Sequence, residues 1–181
     1  MLIAGSNSGD LILRNIDPLE VNSDYVSWLN DNSTNQFLEV RHSQVSIGSQ
    51  RGFVEEINQS DDTCLFGIFA PGEVLIGTTK IGPINKIHET AAMGILIGSS
   101  KHRGLGYGSL TIRIICKLFA ENKILRKINA GVISENFASI RAFEKNGFLR
   151  EGYRVSQFRG LEGKFMDEVL FGKVLRTEKG S

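Results

Sequence analysis

LILRNI, residues 11–16, is a short, mainly apolar run that predicts a first strand, and Asp17-Pro18 ends it. A helical spacing follows. Tyr25, Val26 and Leu29 fall on one helical face, and a second helix is predicted over residues 51–58 with Phe53, Val54 and Ile57 on its apolar side. The stretch between them, NDNSTNQFLEVRHSQ, is polar and predicts irregular chain. CLFGIFA (Cys64–Ala70) and VLIGTTKIG (residues 74–82) are strand-like runs joined by Pro71-Gly72-Glu73, which has turn chemistry and predicts an antiparallel hairpin.

AAMGILIG, residues 91–98, predicts the next strand, and a long helix follows over residues 106–122, with Leu110, Ile114 and Leu118 recurring every fourth position. KINAGVI (Lys127–Ile133) predicts a strand, residues 136–146 a helix stopped by Gly147 in a left-handed cap, and YRVSQF and FMDEVLFGKVL two closing strands around the turn 159–163. This order predicts an α/β domain: a mixed, mainly antiparallel sheet with one parallel strand-helix-strand crossover. The crossover begins at the glycines after Gly98.

With 181 residues and 41% hydrophobic content, one domain over residues 1–181 is expected, with residues 1–9 and 176–181 as flexible ends. Lys and Arg number 21 against 20 Asp and Glu, so the charge gives no footprint of a nucleic-acid or membrane partner, and any anion must be held locally. No apolar run is long enough to cross a bilayer, and MLIAGSNSGD lacks the features of a secretory signal, so a cytoplasmic protein is expected. Cys64 and Cys116 sit in apolar surroundings without metal-ligand spacing, which predicts buried packing residues and no metal.

KHRGLGYGSL, residues 101–110, places three glycines between a predicted strand and a predicted helix. Such a turn aims unpaired backbone N–H groups and the positive end of the helix dipole at one point, where phosphate is the natural occupant. Gly104, Gly106 and Gly108 remove side chains that would keep a phosphate off the backbone, and Lys101 and Arg103 add charge at the rim. A tight turn or close helix packing is the alternative. Neither the triphosphate loop, GxxxxGK with Ser or Thr, nor the dinucleotide fingerprint, GxGxxG, fits this GxGxG.

RGLGYG, residues 103–108, resembles instead the R-x-x-G-x-G signature of the GNAT acetyltransferase superfamily. NFASIRAFEKNGF, residues 136–148, is similar to that superfamily's N-x-x-S-I-R-x-(Phe or Tyr)-E-K-x-G-F segment, and one long helix and one strand separate the two. The resemblance extends loosely over residues 11–175 and implies a GNAT-like sheet whose central strands splay apart, with acetyl-coenzyme A as cofactor. It implies coenzyme contacts from Ile95, Leu96, Ile97, His102, Arg103, Gly104, Leu105, Gly106, Tyr107, Gly108, Asn136, Ser139, Phe143 and Lys145, with Ile140 and Phe148 in the core. Asn136 either caps its helix through its side-chain oxygen or turns its amide to the ligand.

The implied reaction is direct attack of a primary amine on the thioester, which needs a proton acceptor for the amine and stabilisation of an oxyanion. Backbone N–H groups near residues 95–97, freed by a bulge in GILIG, would serve the oxyanion. Many relatives carry tyrosine where this chain has Phe143, so a water or Ser139 is left to protonate the thiolate. Relatives often carry a glutamate where this chain has Ala91-Ala92-Met93, so the base falls to Glu39, Glu89, His42 or His88; His88 and Glu89 belong to the turn before that strand, and a solvated turn is their alternative role. Glu39, Asn136 and Ser139 form the expected catalytic set.

WLNDNSTNQFLEVR, residues 28–41, resembles a segment of acetyltransferases that modify nucleotide-linked amino sugars. That resemblance implies acceptor contacts from Glu39, Arg41 and His42, with Arg41 on a phosphate and Trp28 and Phe37 as core or pocket wall; a surface Glu39–Arg41 ion pair is the alternative. The expected function is N-acetyl transfer to a small amine, a nucleotide-linked amino sugar in surface polysaccharide or glycan synthesis. Acetylation of a protein amino terminus of the ribosomal-protein alanine type, and a coenzyme-binding regulator without catalysis, are the alternatives. The hairpin predicted over residues 153–169 borders the acceptor site or a dimer contact in relatives, which leaves a homodimer open.

Overall fold

The computed structural model describes residues 6–7 and 11–176. Among these residues eight strands form one sheet: β1 (Ser6–Asn7), β2 (Ile12–Asn15), β3 (Cys64–Ala70), β4 (Val74–Ile81), β5 (Thr90–Ile97), β6 (Lys127–Ile133), β7 (Leu149–Arg159) and β8 (Phe165–Val174). Their spatial order is β1-β2-β3-β4-β5-β6-β8-β7, and every neighbouring pair is antiparallel except β5 with β6. Among the described residues the α-helices are α1 (Ser23–Asn30), α2 (Asn32–Asn35), α3 (Ile47–Asn58), α4 (Tyr107–Glu121) and α5 (Phe137–Lys145). Helix α4 makes the one parallel crossover, from β5 to β6.

The expected mixed sheet and crossover are present, and three local departures have local causes. Residues 30–44 are not irregular throughout. The Asp31 side chain accepts from the Ser33 amide and from the Ser33 and Thr34 hydroxyls, which starts α2, and a 3-10 turn follows at Glu39–His42. Helix α3 starts at Ile47 because Ser46 caps it, its hydroxyl accepting from the Ser49 amide. Strand β7 starts at Leu149, since Gly147 at φ 76° turns the chain back directly after α5. The flexible ends expected at 1–9 and 176–181 lie largely outside the described residues, but Ser6 and Asn7 pair with Leu13 and Ile12, and Arg176 donates to Glu89.

Helices pack on both faces of the sheet. Alternation along the strands sends Phe66, Ile68, Met93, Ile128 and Phe171 into a core beneath α4 and α5, and Ile16 and Leu65 into a smaller core beneath α1 and α3. On α4 the buried stripe is centred on Ile112, Ile115 and Phe119, all at 0% exposure, so Leu110 and Leu118 from the predicted pattern form its partly buried margin. Each such fully buried side chain contributes about 1.5–3 kcal/mol. Both cysteines are free and buried, and burial pushes the Cys116 thiol up to about 11. Among the described residues no helix is long and apolar enough to cross a membrane.

Candidate functional site

The parallel pair at the centre of the sheet parts after three rungs. Thr90, Ala91 and Ala92 pair with Lys127, Ile128 and Asn129, after which β5 and β6 diverge while β5 stays paired with β4 through Ile97. Gly82 N donates to Ala92 O and Gly98 N to Ile76 O, so the even-numbered peptide groups of β5 face β4. Backbone groups alternate along a strand, so those of Ile95 and Ile97 face the parting, and those of Leu96 do not. The strands separate by divergence; the register of β5 on β4 carries no bulge, contrary to the expectation for GILIG.

The glycine stretch follows at the end of β5. Gly104 and Gly106 have φ of 77° and 89°, the left-handed region that glycine enters freely, and a Cβ at either would meet nothing within 4 Å. Gly106 is the N-cap of α4 and offers no side chain, so the amides of Tyr107, Gly108 and Ser109 begin the helix without an intrahelical acceptor. A Cβ at Gly108 would lie 3.8 Å from the Ile97 side chain, so this glycine lets the start of α4 sit low over β5. Bare amides, an open cradle and a helix dipole on one point suit a phosphate group.

Helix α5 lies beside this loop. Asn146 Nδ2 donates to Ser109 O and Oγ at 3.0 and 2.9 Å, which ties the end of α5 to the first turn of α4. Asn136 Oδ1 accepts from Ser139 N at 3.1 Å and caps α5, leaving its Nδ2 without a protein acceptor among the described residues. Both sequence alternatives for Asn136 are therefore open to it at once. The Ser139 hydroxyl and Lys145 ammonium likewise have no protein partner among the described residues, and all three line one cavity of about 510 Å³ with the glycine loop and residues 95–97.

The far wall of that cavity is α2 and the chain after it, through Ser33, Thr34, Phe37 and Leu38. Arg103 joins the two walls. Its Nε donates to Ile97 O at 3.0 Å, and its Nη2 donates to Gly98 O at 2.8 Å and to the Thr34 hydroxyl. The guanidinium that the sequence suggested as rim charge thus brackets the end of β5 and holds α2 against it. His102 Nδ1 meets Ser99 Oγ at 2.8 Å, and its ring stands edge-on to Tyr107. Trp28 covers Gly98 so closely that a Cβ there would fall 2.1 Å from the indole.

The fold does not bring every expected site residue to this cavity. Leu105 is exposed and borders a second hollow on the outer side of the loop, with Arg113 and Lys145. Phe143 is 2% exposed and packed against Phe148 and Phe171, within the core. Glu39 is exposed, and His42 Nε2 meets Arg159 O at 2.9 Å. Arg41 is buried and lies 3.8 Å from Glu39, but its guanidinium donates to Leu38 O and Arg159 O, tying this segment to the tip of the β7–β8 hairpin. His88 is exposed in the turn before β5, and Glu89 there accepts from Arg176.

Thr34 and Arg141 line the cavity without having been singled out in the sequence. The signal for Thr34 was present in Asp31-Asn32-Ser33-Thr34, a capping aspartate followed by hydroxyls; Arg141 gave none beyond lying two residues after Ser139 on the helix.

Comparison with known proteins agrees with this geometry. The family model described as an acetyltransferase (GNAT) domain matches residues 10–149. The spermidine N(1)-acetyltransferase of Vibrio cholerae is 27% identical over 158 residues, covering 86% of this chain and 83% of the relative. The probable N-acetyltransferase YjcK of Bacillus subtilis is 33% identical over 100 residues, and that match spans only 55% of the relative's length. Among solved structures, the Vibrio cholerae spermidine N-acetyltransferase in complex with CoA and spermine has a TM-score of 0.82 at 21% identity, covering 93% of this chain and 97% of that one. The ribosomal L7/L12 alpha-N-protein acetyltransferase RimL, in complex with coenzyme A, has a TM-score of 0.83 at 20% identity, covering 96% and 98%. With its parted central strands, its glycine loop and a family match over three-quarters of its length, the chain belongs to the GNAT acetyltransferase family, whose members are acyl-coenzyme A N-acyltransferases.

Proposed function

We propose that this chain transfers the acetyl group of acetyl-coenzyme A to a primary amine that carries no phosphate. The observation that carries the reading is the pairing of the open amide cradle at Gly104–Gly106 with the parting of β5 from β6, both on one cavity. The coenzyme, when bound, supplies the thioester. The amides that begin α4 would hold its diphosphate, the Asn136 amide and Ser139 would orient the pantetheine, and the inward N–H of Ile95 is the donor for the carbonyl oxygen. Lys145 adds positive charge between the two hollows flanking the loop. Phe143 is sealed in the core, so Ser139 or a water returns the proton to the thiolate.

The acceptor expected from the sequence, a nucleotide-linked amino sugar, relied on Arg41 as a phosphate partner. Engagement of that guanidinium by two backbone carbonyls favours an acceptor without phosphate. Polyamines and peptide amino termini, the acceptors named for two of the similar proteins, meet that description. Thiol release from acetyl-coenzyme A, measured against spermidine, alanine- and serine-terminated peptides and 4-amino-sugar nucleotides, is the test. Faster turnover of an unphosphorylated amine is expected, and preference for the sugar nucleotides would overturn the acceptor class. Coenzyme binding with no release for any amine would instead support a regulator, the reading that Phe143 and Ala91-Ala92-Met93 favour.

A further inference from the structure

Glu168 sits in the middle of β8 with 8% of its side chain exposed. A carboxylate so placed is costly unless it is partnered, and Arg154 Nη1 donates to its Oε2 at 3.0 Å. Its Oε1 has no donor among the described residues. That oxygen occupies an unusual place, since a Cβ added at Gly131 would fall 1.9 Å from it. The carboxylate therefore lies directly over the bare backbone of β6, carried there by a register that sets Glu168 opposite Ile133.

Two features make that position meaningful. β6 pairs with β5 only as far as Asn129, so Gly131 lies within the parted stretch, and neighbouring strands are about 5 Å apart, which sets Oε1 within about one strand spacing of the opening. Ile128, Ala130 and Val132 point into the core beneath α4 and α5, so Gly131 and Glu168 occupy the opposite face of the sheet. The phosphate cradle belongs to α4, so Glu168 lies across the sheet from the helix that carries it.

We propose that Glu168 Oε1 is the seat of the acceptor's amino group, binding it as an ammonium by a charge-assisted hydrogen bond and fixing it beside the parting. The ligand class is a cationic primary amine. Gly131 is the position that admits the carboxylate, and Arg154, which reaches over from the edge strand β7, holds its other oxygen in place. The inference rests on the coenzyme reading above for where the thioester lies.

Calorimetry of spermidine binding to the coenzyme A-loaded protein tests it, alongside titration of coenzyme A itself. Glu168→Gln removes the charge and keeps the shape, and Gly131→Ala keeps the charge but occupies its place. Both variants are expected to bind coenzyme A within twofold of the natural chain and to bind spermidine at least tenfold more weakly. Unchanged spermidine affinity in either folded variant, or no spermidine binding by the natural chain once loaded with coenzyme A, would overturn the assignment while leaving the transferase reading in place. Failure of the natural chain to bind coenzyme A would overturn that reading and this one with it.

Discussion

Glutamate in place of Gly106 perturbs the cradle in two ways that can be measured apart. Gly106 has φ 89°, so any side chain there is held in the left-handed region at a cost of about 1–2 kcal/mol. Nothing lies within 4 Å of the added Cβ, so the protein itself presents no clash. Gly106→Ala therefore reports strain alone, and for a chain of this size it lowers Tm by roughly 2–8 °C. Gly106→Glu adds a carboxylate over the amides that begin α4. At about 5 Å and an effective dielectric of about 20, each phosphate charge opposes it by about 3 kcal/mol. Even if the side chain swings partly into solvent, coenzyme A affinity is expected to fall at least about 100-fold below that of the alanine variant. Added salt is expected to recover part of that loss. Isothermal titration of coenzyme A into both variants is the assay. A glutamate variant that binds within threefold of the alanine variant would refute the cradle.

Three further outcomes are expected. The Cys116 thiol is raised by burial from 9.0 to about 11, so between those values only the unfolded chain loses the proton; stability falls as pH rises through that window, by at most about 2–3 kcal/mol. Cys116→Ala should flatten that part of the slope in urea melts at pH 8.5 and 10.5, and identical slopes would contradict the burial argument. Phe143→Tyr puts a hydroxyl into the cluster with Phe148 and Phe171, which costs about 1–3 kcal/mol if unpaired, lowers Tm and leaves kcat unimproved; a faster enzyme would show that the ring reaches the reacting atoms. Arg103→Lys cannot satisfy Ile97 O, Gly98 O and Thr34 in the planar fan that guanidinium provides, so α2 loosens; faster hydrogen exchange over residues 32–38 is expected, and unchanged exchange would count against the brace.

Much of the fold was legible along the chain. The hairpin of β3 and β4, the strand β6 and the caps of α4 and α5 follow from apolar periodicity and from glycines at turns, which are local properties. The start of α3 and the helix at Asn32–Asn35 were missed because their signals are single hydroxyl and carboxylate caps inside polar sequence, where periodicity is silent. At the site, the glycine loop and Asn136 were found by the same local logic. Arg41 and Arg103 were read as charges awaiting a ligand, since a sequence shows that a guanidinium is present but not which carbonyls it meets.

The sequence by itself determined the order of the strands from β2 to β8 with α4 and α5 among them, the glycine turns at Gly104 and Gly106 and the bare start of α4, because each depends on residues within one or two turns of each other. Only the tertiary structure decided that β5 and β6 part after Asn129, that Arg41 is held by Arg159, far away in the chain, and that Glu168 lies over Gly131. Those relations are fixed by strand register and helix docking, where a shift of one residue would exchange the two faces of the sheet.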